Sequence, residues 1–388
     1  MEHAQLDSKE WSRIVVLLGG AEALASSARE HGAFIRGRGV KSAEDVLRLA
    51  LMYGPGGHSL RSVAAMAAAA GLADVSDVAV LDRLKRAADW LENLCKERLA
   101  RVAKETGVTV TERPIRIIDG SRLEGPGDRV WRLHLGYDAG RARIFDAVIT
   151  TTREGERLDR LAVTPGEIRL GDRGYPQPDG IRNTLKAGAD VLVRLTWNSL
   201  QMTADDKPID WLKLFKRAGQ QDALDMPVRV HKAHSQFEPL DMRLIIIKKP
   251  PAAAAQARAK ARRASQKNQR RTDPRTLAGA DYMILLTSLK REEFPIALIA
   301  ALYRLRWQIE LAIKRLKSIL HIDRLPAKNP DLVRAWLYAH LLLALLLDEI
   351  RAGLGPIPPS AAGIAKNLSL AHDHPPRCGA ARRHLAAA

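Results

Sequence analysis

The sequence predicts an α/β fold: a core of short strands, preceded and followed by helices and interrupted by a mostly β insertion. Three observations carry this. Apolar residues recur at helical spacing through the first 110 or so positions. From Pro114 the texture changes to short apolar or alternating runs, punctuated by Asp-Gly and Gly-Asp pairs. Helical spacing returns over residues 295–320 and 330–347.

In the N-terminal part, residues 1–110, the helical pattern is clearest at 14–18, 46–52, 63–70 and 78–94. Ser59 can cap a helix running to residue 70, Gly71 permits a turn, and Ser76 can cap a second helix over 77–94. Two helices across a short glycine turn fit a helix-turn-helix that touches DNA, and they equally fit a helical hairpin that only packs. Strands follow at 115–118, 130–137 and 144–150, the last two joined by a turn at Asp138-Ala139-Gly140. A fourth strand, 168–170, ends at Gly171-Asp172; a helix over 181–186 and a strand over 191–195 complete the set. A three-strand meander followed by strand, helix and strand is the order of a ribonuclease H-like core, placed here at 111–197.

Residues 198–290 read as a mostly β insertion, with strands at 228–230, 242–247 and 282–286. Within it, 252–275 is rich in Ala, Lys and Arg, with Asp273 its one acid. It is either a solvated loop or a basic arm that lies along DNA phosphates and releases counterions there. The core then resumes as helices over 291–350, and 351–388 reads as a loosely ordered tail rich in Pro, Ala and Arg.

Lys and Arg outnumber Asp and Glu by 62 to 44, a formal charge of +18, which implies a polyanionic partner, nucleic acid before an anionic membrane. The most apolar run, 335–347, is interrupted by His340 and is shorter than the ~20 residues a spanning helix needs, so 341–347 is expected to be a buried helix. The start, Met-Glu-His-Ala-Gln-Leu-Asp, has neither a basic opening nor an apolar signal core, so a cytoplasmic, nucleoid-associated protein is expected. Two distant cysteines, Cys95 and Cys378, suggest neither a disulfide framework nor a zinc cluster, and the eleven histidines show no ligand spacing.

The chemistry concentrates in residues 303–317. On one continuous helix at about 100° per residue, Tyr303, Arg306, Glu310, Lys314 and Lys317 share one side. Leu305, Ile309, Ala312, Ile313, Leu316, Ile319 and Leu320 form the neighbouring stripe to be buried. Alone this is an amphipathic helix with a solvated face. Two further carboxylates, Asp119 and Asp172, each stand at the expected end of an apolar strand beside glycine (Gly120; Gly171 and Gly174). Strand ends in an α/β core project into a shared crevice, and glycine lets a ligand approach. With Glu310 from a helix packed on the sheet, three carboxylates can converge as hard oxygen ligands for divalent cations and phosphate.

The residues Asp119-Gly120-Ser121, Asp172-Arg173-Gly174-Tyr175 and the spaced set Tyr303, Arg306, Glu310, Lys317 resemble bacterial DDE transposases of the insertion-sequence-four type. The pair Arg306-Trp307 is also similar to that family, and the resemblance spans about residues 59–347. It implies Asp119, Asp172 and Glu310 as catalytic metal ligands for two Mg²⁺ ions, with Mn²⁺ as a substitute. It implies Tyr303, Arg306 and Lys317 as phosphate contacts; Lys314, on the same side of the helix, and Arg173, beside Asp172, are further candidate DNA contacts. Relatives stack a tryptophan on a flipped base just before a Leu-Leu-Thr strand; here Tyr282 stands there, with Trp197 as another aromatic candidate. The implied activity is binding of terminal inverted repeats of double-stranded DNA by a homodimer, cleavage at the element ends and joining of 3′-hydroxyls to target DNA. The alternatives are a catalytically silent end-binding protein or repressor, and a hydrolytic nuclease on the same fold.

Overall fold

A computed structural model describes residues 8–104, 112–126, 130–151, 153–232, 238–319 and 325–353. The expected tail, with Cys378, and the predicted stripe residue Leu320 lie outside the described residues. Residues 1–346 form one compact unit; of the second, 347–388, the described part is 347–353.

Five helices open the chain: α1 (Ser8–Leu17), α2 (Ala21–Glu30), α3 (Ala43–Tyr53), α4 (Leu60–Ala69) and α5 (Asp77–Lys104). Ser59 caps α4 by accepting the Ser62 N–H (3.2 Å), and Ser76 caps α5 by accepting that of Ala79 (3.2 Å). Gly71 takes φ +66°, a conformation a side chain would strain. Both caps and the turn follow the sequence reading, but α5 continues to Lys104 and the connection spans residues 70–76, longer than the turn of a compact helix-turn-helix. Trp90, Leu91 and Leu94 of α5 are fully buried in the core, so that face is a packing face.

The strands β1 (Ile115–Glu124), β2 (Val130–Asp138), β3 (Arg143–Thr151), β4 (Ile168–Gly171) and β5 (Asp190–Leu195) follow, with α6 (Pro178–Lys186) between the last two. Next come β6 (Gln201–Ala204), β7 (Lys207–Pro208), α7 (Trp211–Gln221), β8 (Ala223–His231), β9 (Leu240–Lys248), α8 (Pro251–Lys267), α9 (Pro274–Gly279) and β10 (Tyr282–Thr287). The chain returns to helix in α10 (Ile296–Arg304), α11 (Trp307–Ile319) and α12 (Pro330–Gly353). The strands form one sheet in the order β3-β2-β1-β4-β5-β10-β9-β8-β6-β7. β1, β4 and β5 run parallel; the other pairings are antiparallel.

Strand alternation divides the apolar residues between the two faces. Ile117, Leu170, Leu192, Ile245 and Leu285 join the core shared with the N-terminal helices, α11 and α12. Ile118, Val191, Val193, Leu244, Ile246, Ile284 and Leu286 join a second core with α6 and α7.

Four expectations change. Residues 198–290 are not mostly β: they carry α7, α8 and α9 beside five strands, and β10 joins those strands to β5 in the same sheet. The basic segment is not a loop but the helix α8, anchored by the buried Ala254 and an Arg258–Asp281 ion pair. Its alanine content gives high helix propensity without an apolar stripe to announce it. In α12, residues 330–350 are long and apolar enough to cross a membrane although the uninterrupted run is short; two thirds of that stretch is buried in protein, as in a core helix. Leu347, expected to be buried, is half exposed.

Candidate active site

The sequence places Asp119 at a strand end, but β1 runs through it to Glu124, because β2 keeps pairing as far as Glu124↔Val130. The other edge of β1 behaves differently. Its pairing with β4 stops at Ile117↔Leu170, and Asp172 follows immediately after β4. Asp119 and Asp172 therefore stand where the parallel pair opens, the usual place for a crevice in such sheets. Asp172 holds its own turn, its Oδ1 accepting the Gly174 N–H (2.7 Å), and Asp119 Oδ1 accepts the Gly120 N–H (2.8 Å). Burial pushes the Asp119 carboxyl up to about 6 against the Gly120 hydrogen bond, and the nearby Asp172 charge pushes the same way while Arg306 opposes it.

Gly171 serves packing: a methyl there would stand 2.7 Å from Tyr175 Cβ. Tyr175 is completely buried, and its hydroxyl has no hydrogen-bond partner among the described residues. Burial first, then the charges of Asp119, Glu156 and Asp172, hold that phenol well above its ordinary range. Glu156 is a carboxylate the sequence reading missed. It lies between β3 and β4 in a stretch with no periodic signal, and its carboxylate approaches both Gly120 and Gly174.

The third expected carboxylate comes from α11, which packs over β1 and β2. Ile309 is fully buried there, with Leu305, Ala312 and Ile313 partly buried beside it, as the stripe predicts. The side chains of Leu316 and Ile319 lie outside the described residues. The single helix expected over 303–317 is broken. α10 ends at Arg304, and the N–H groups of Leu305 and Arg306 bond three residues back, to Leu302 O (3.0 Å) and Tyr303 O (3.2 Å), before α11 begins at Trp307. Tyr303 and Glu310 thus belong to different helices, with Arg306 in the turn between them.

Arg306 pairs with Glu310 and lies 5.9 Å from the Tyr303 ring centroid. Tyr303 is buried, its hydroxyl without a partner among the described residues, within the field of Arg306, Arg194, Asp172 and Arg173. Lys314 is exposed, and Lys317 Nζ donates to Arg122 O on β1 (3.4 Å). Among the described residues no three His, Cys, Asp or Glu side chains are gathered closely enough to hold one ion. Glu310 is held by Arg306 instead.

Arg173, the residue after Asp172, lines a pocket of about 300 Å³ whose wall also includes Trp197, Lys249, Lys260 and Tyr282. Burial, together with Arg194 and Arg173, pushes the Lys249 ammonium down to about 8. Both aromatic candidates already have partners. Tyr282 stacks on Phe215 (5.3 Å between centroids, 5° between planes) and donates to Phe215 O (2.9 Å), so one ring face is taken by the core. Arg275 covers the Trp197 ring at 3.8 Å, and Trp197 Nε1 donates to Thr276 Oγ1 (2.9 Å).

The pattern of the family described as "Transposase DDE domain" matches residues 111–347. InsL of insertion sequence element IS186A from Escherichia coli (strain K12), whose name assigns it to transposases, is 40% identical, the match covering 92% of this chain and 98% of that protein. The transposase for insertion sequence element IS421 from Escherichia coli is likewise 40% identical over the same shares.

Proposed function

We propose, for a chain that belongs to the DDE-domain transposases of insertion sequences, that it binds its element's terminal inverted repeats as a homodimer, cuts the DNA there and joins the freed 3′-hydroxyls to target DNA. The observation that carries this is the position of Asp119 and Asp172 at the open end of the β1–β4 pair, under the helix that bears Glu310. The sheet order β3-β2-β1-β4-β5 supports a ribonuclease H-like core of the insertion-sequence-four type, with β6 to β10 as its insertion and the N-terminal helices as the DNA-binding part.

DDE transposase domains use divalent metal ions, and the donor set here fits them. Asp119 and Asp172 offer hard oxygens, and the half-buried Asp119 carboxyl gains from a cation that relieves its repulsion by Asp172. Asp119, Asp172 and Glu310 would hold the ions, Mg²⁺ with Mn²⁺ as a substitute. Bound there, such ions would supply the positive charge that activates a water or 3′-hydroxyl and stabilises the leaving oxygen. Arg306 is the residue that changes partner: its guanidinium leaves Glu310 for a DNA phosphate, which suits its planar, bidentate donors. Tyr303, Lys314, Lys317 and Arg173 hold the backbone near the scissile position, and Tyr282 contacts DNA through the part of its ring that lines the pocket. The place of action is the bacterial cytoplasm, on chromosomal DNA.

Asp119→Asn tests the reading. Cleavage of a linear DNA carrying the element's end should fall by at least about 10²-fold, the scale for removing one group that stabilises transition-state charge. Binding of that DNA should persist; retained cutting would sink the assignment.

A further inference from the structure

We infer that Glu156 is a fourth carboxylate of the cation site, a positioning residue that strengthens ion binding from behind β1. This rests on the metal-site reading above. By strand alternation Asp119 shares a face with Ile115, Ile117 and Leu123, the face that α11 covers. Gly120 points the opposite way, with Ile118. Glu156 therefore reaches the site from the side opposite Glu310.

It reaches there because two side chains are missing. A methyl at Gly120 would stand 2.9 Å from Glu156 Oε1, and one at Gly174 would collide with Glu156 Oε2 while lying 3.2 Å from Asp172 Oδ1. Of the three glycines beside the aspartates, Gly120 and Gly174 thus open a path for this fourth carboxylate, while Gly171 packs on Tyr175. The segment carrying it is built rather than loose. The completely buried Arg169 of β4 donates to the carbonyls of Leu158, Leu161 and Ala162, and Gln177 Nε2 donates to Glu156 O (2.8 Å).

A second observation points to a ligand. The buried Tyr175 hydroxyl, without a partner among the described residues, lies in the field of Asp119, Glu156 and Asp172, where a hydrated cation would supply water oxygens to accept its hydrogen bond. Mg²⁺ and Mn²⁺ keep several waters when bound, so a carboxylate outside direct reach can act by holding one of them. The competing structural role is the ion pair with Arg132, whose Nε is 3.8 Å from Glu156 Oε1.

Mn²⁺ titrated calorimetrically onto the DNA-free, full-length protein separates the cases. Glu156→Gln is expected to weaken Mn²⁺ binding about tenfold or more, the scale of an outer-shell partner. Asp119→Asn should abolish binding, and Arg132→Gln should leave it unchanged or tighter. An unchanged Mn²⁺ affinity in Glu156→Gln, with binding lost in Asp119→Asn, overturns the role of Glu156 alone. Unchanged binding in Asp119→Asn overturns the metal site itself and this inference with it. Thermal melts check folding; should Glu156→Gln not fold, Glu156→Asp withdraws the carboxylate by one methylene while keeping its charge, and unweakened binding there overturns the proposal equally.

Discussion

Asp172 and Arg173 are consecutive, yet they face two regions of opposite character. On one side Asp119, Asp172 and Glu156 flank the opening of β1 and β4, and burial pushes Asp119 up to about 6. On the other, Arg173, Lys249 and Lys260 line a pocket in which burial and two arginines push Lys249 down to about 8. The two shifts have one cause, charge taken from water without enough of the opposite sign nearby, and they run in opposite directions because the charges differ. The contrast teaches how such a protein can favour a composite ligand. On the proposed function, a DNA backbone accompanied by cations would supply what each region lacks, metal for the first and anionic phosphate for the second.

The largest expected effect breaks the basic side. Lys260, Arg262 and Arg263 lie on the exposed surface of α8. If each meets one phosphate, the triple change to Gln should reduce the slope of log affinity against log salt by about three, a loss of two to three orders of magnitude in affinity at about 0.1 M salt. Sequence preference should stay, because phosphate contacts position rather than specify. A slope equal to that of the unaltered protein would return α8 to a solvated helix.

A smaller effect sharpens the acidic side. His134 pairs in register with Gly120 and is completely buried, Nε2 facing Thr150 Oγ1 at 2.9 Å. Burial, then Arg160 and Arg132, push it down to about 4. The folded protein therefore holds it neutral. The stability this contributes is complete above pH 6.5 and is lost as the pH falls from 6.5 to 4, up to about 3 kcal/mol. Denaturant melts across that range should show His134→Gln losing less stability on acidification than the unaltered protein. Parallel curves would mean that His134 is protonated in the fold.

The smallest effect tests Lys249 alone. Its charge is present below about pH 8 and lost above it. Affinity for end DNA should fall by up to about tenfold more between pH 7 and 9 than in Lys249→Arg, which keeps its charge throughout. Equal pH profiles would place Lys249 outside the interface.

Much of the fold was legible in the sequence. The alternation over 130–137, the apolar runs before Asp172 and over 191–195, and the caps at Ser59 and Ser76 are all local signals, and the structure has strands and helices there. The misreadings share a physical origin. Asp119-Gly120-Ser121 looks like a turn, yet pairing with β2 carries the strand through it. The break after Arg304 is invisible because the apolar spacing continues across it, and two backbone hydrogen bonds that close three residues back make the difference. The helix α8 was within reach of propensity but was masked by its charge.

By itself the sequence determined which chemical groups stand at which spacing: Asp119 and Asp172 beside glycines, and the set from Tyr303 to Lys317. Such information lies along the chain, where a helix or strand repeats every few residues. Only the tertiary structure decided that Glu156 comes through the gaps at Gly120 and Gly174, that Arg306 pairs with Glu310, and that Phe215 takes a face of Tyr282. Each of the contacts at Glu156 and Tyr282 joins segments far apart in sequence, and the Arg306 pair depends on where a helix breaks. Packing of the sheet and its two cores sets all three, and no local periodicity records them.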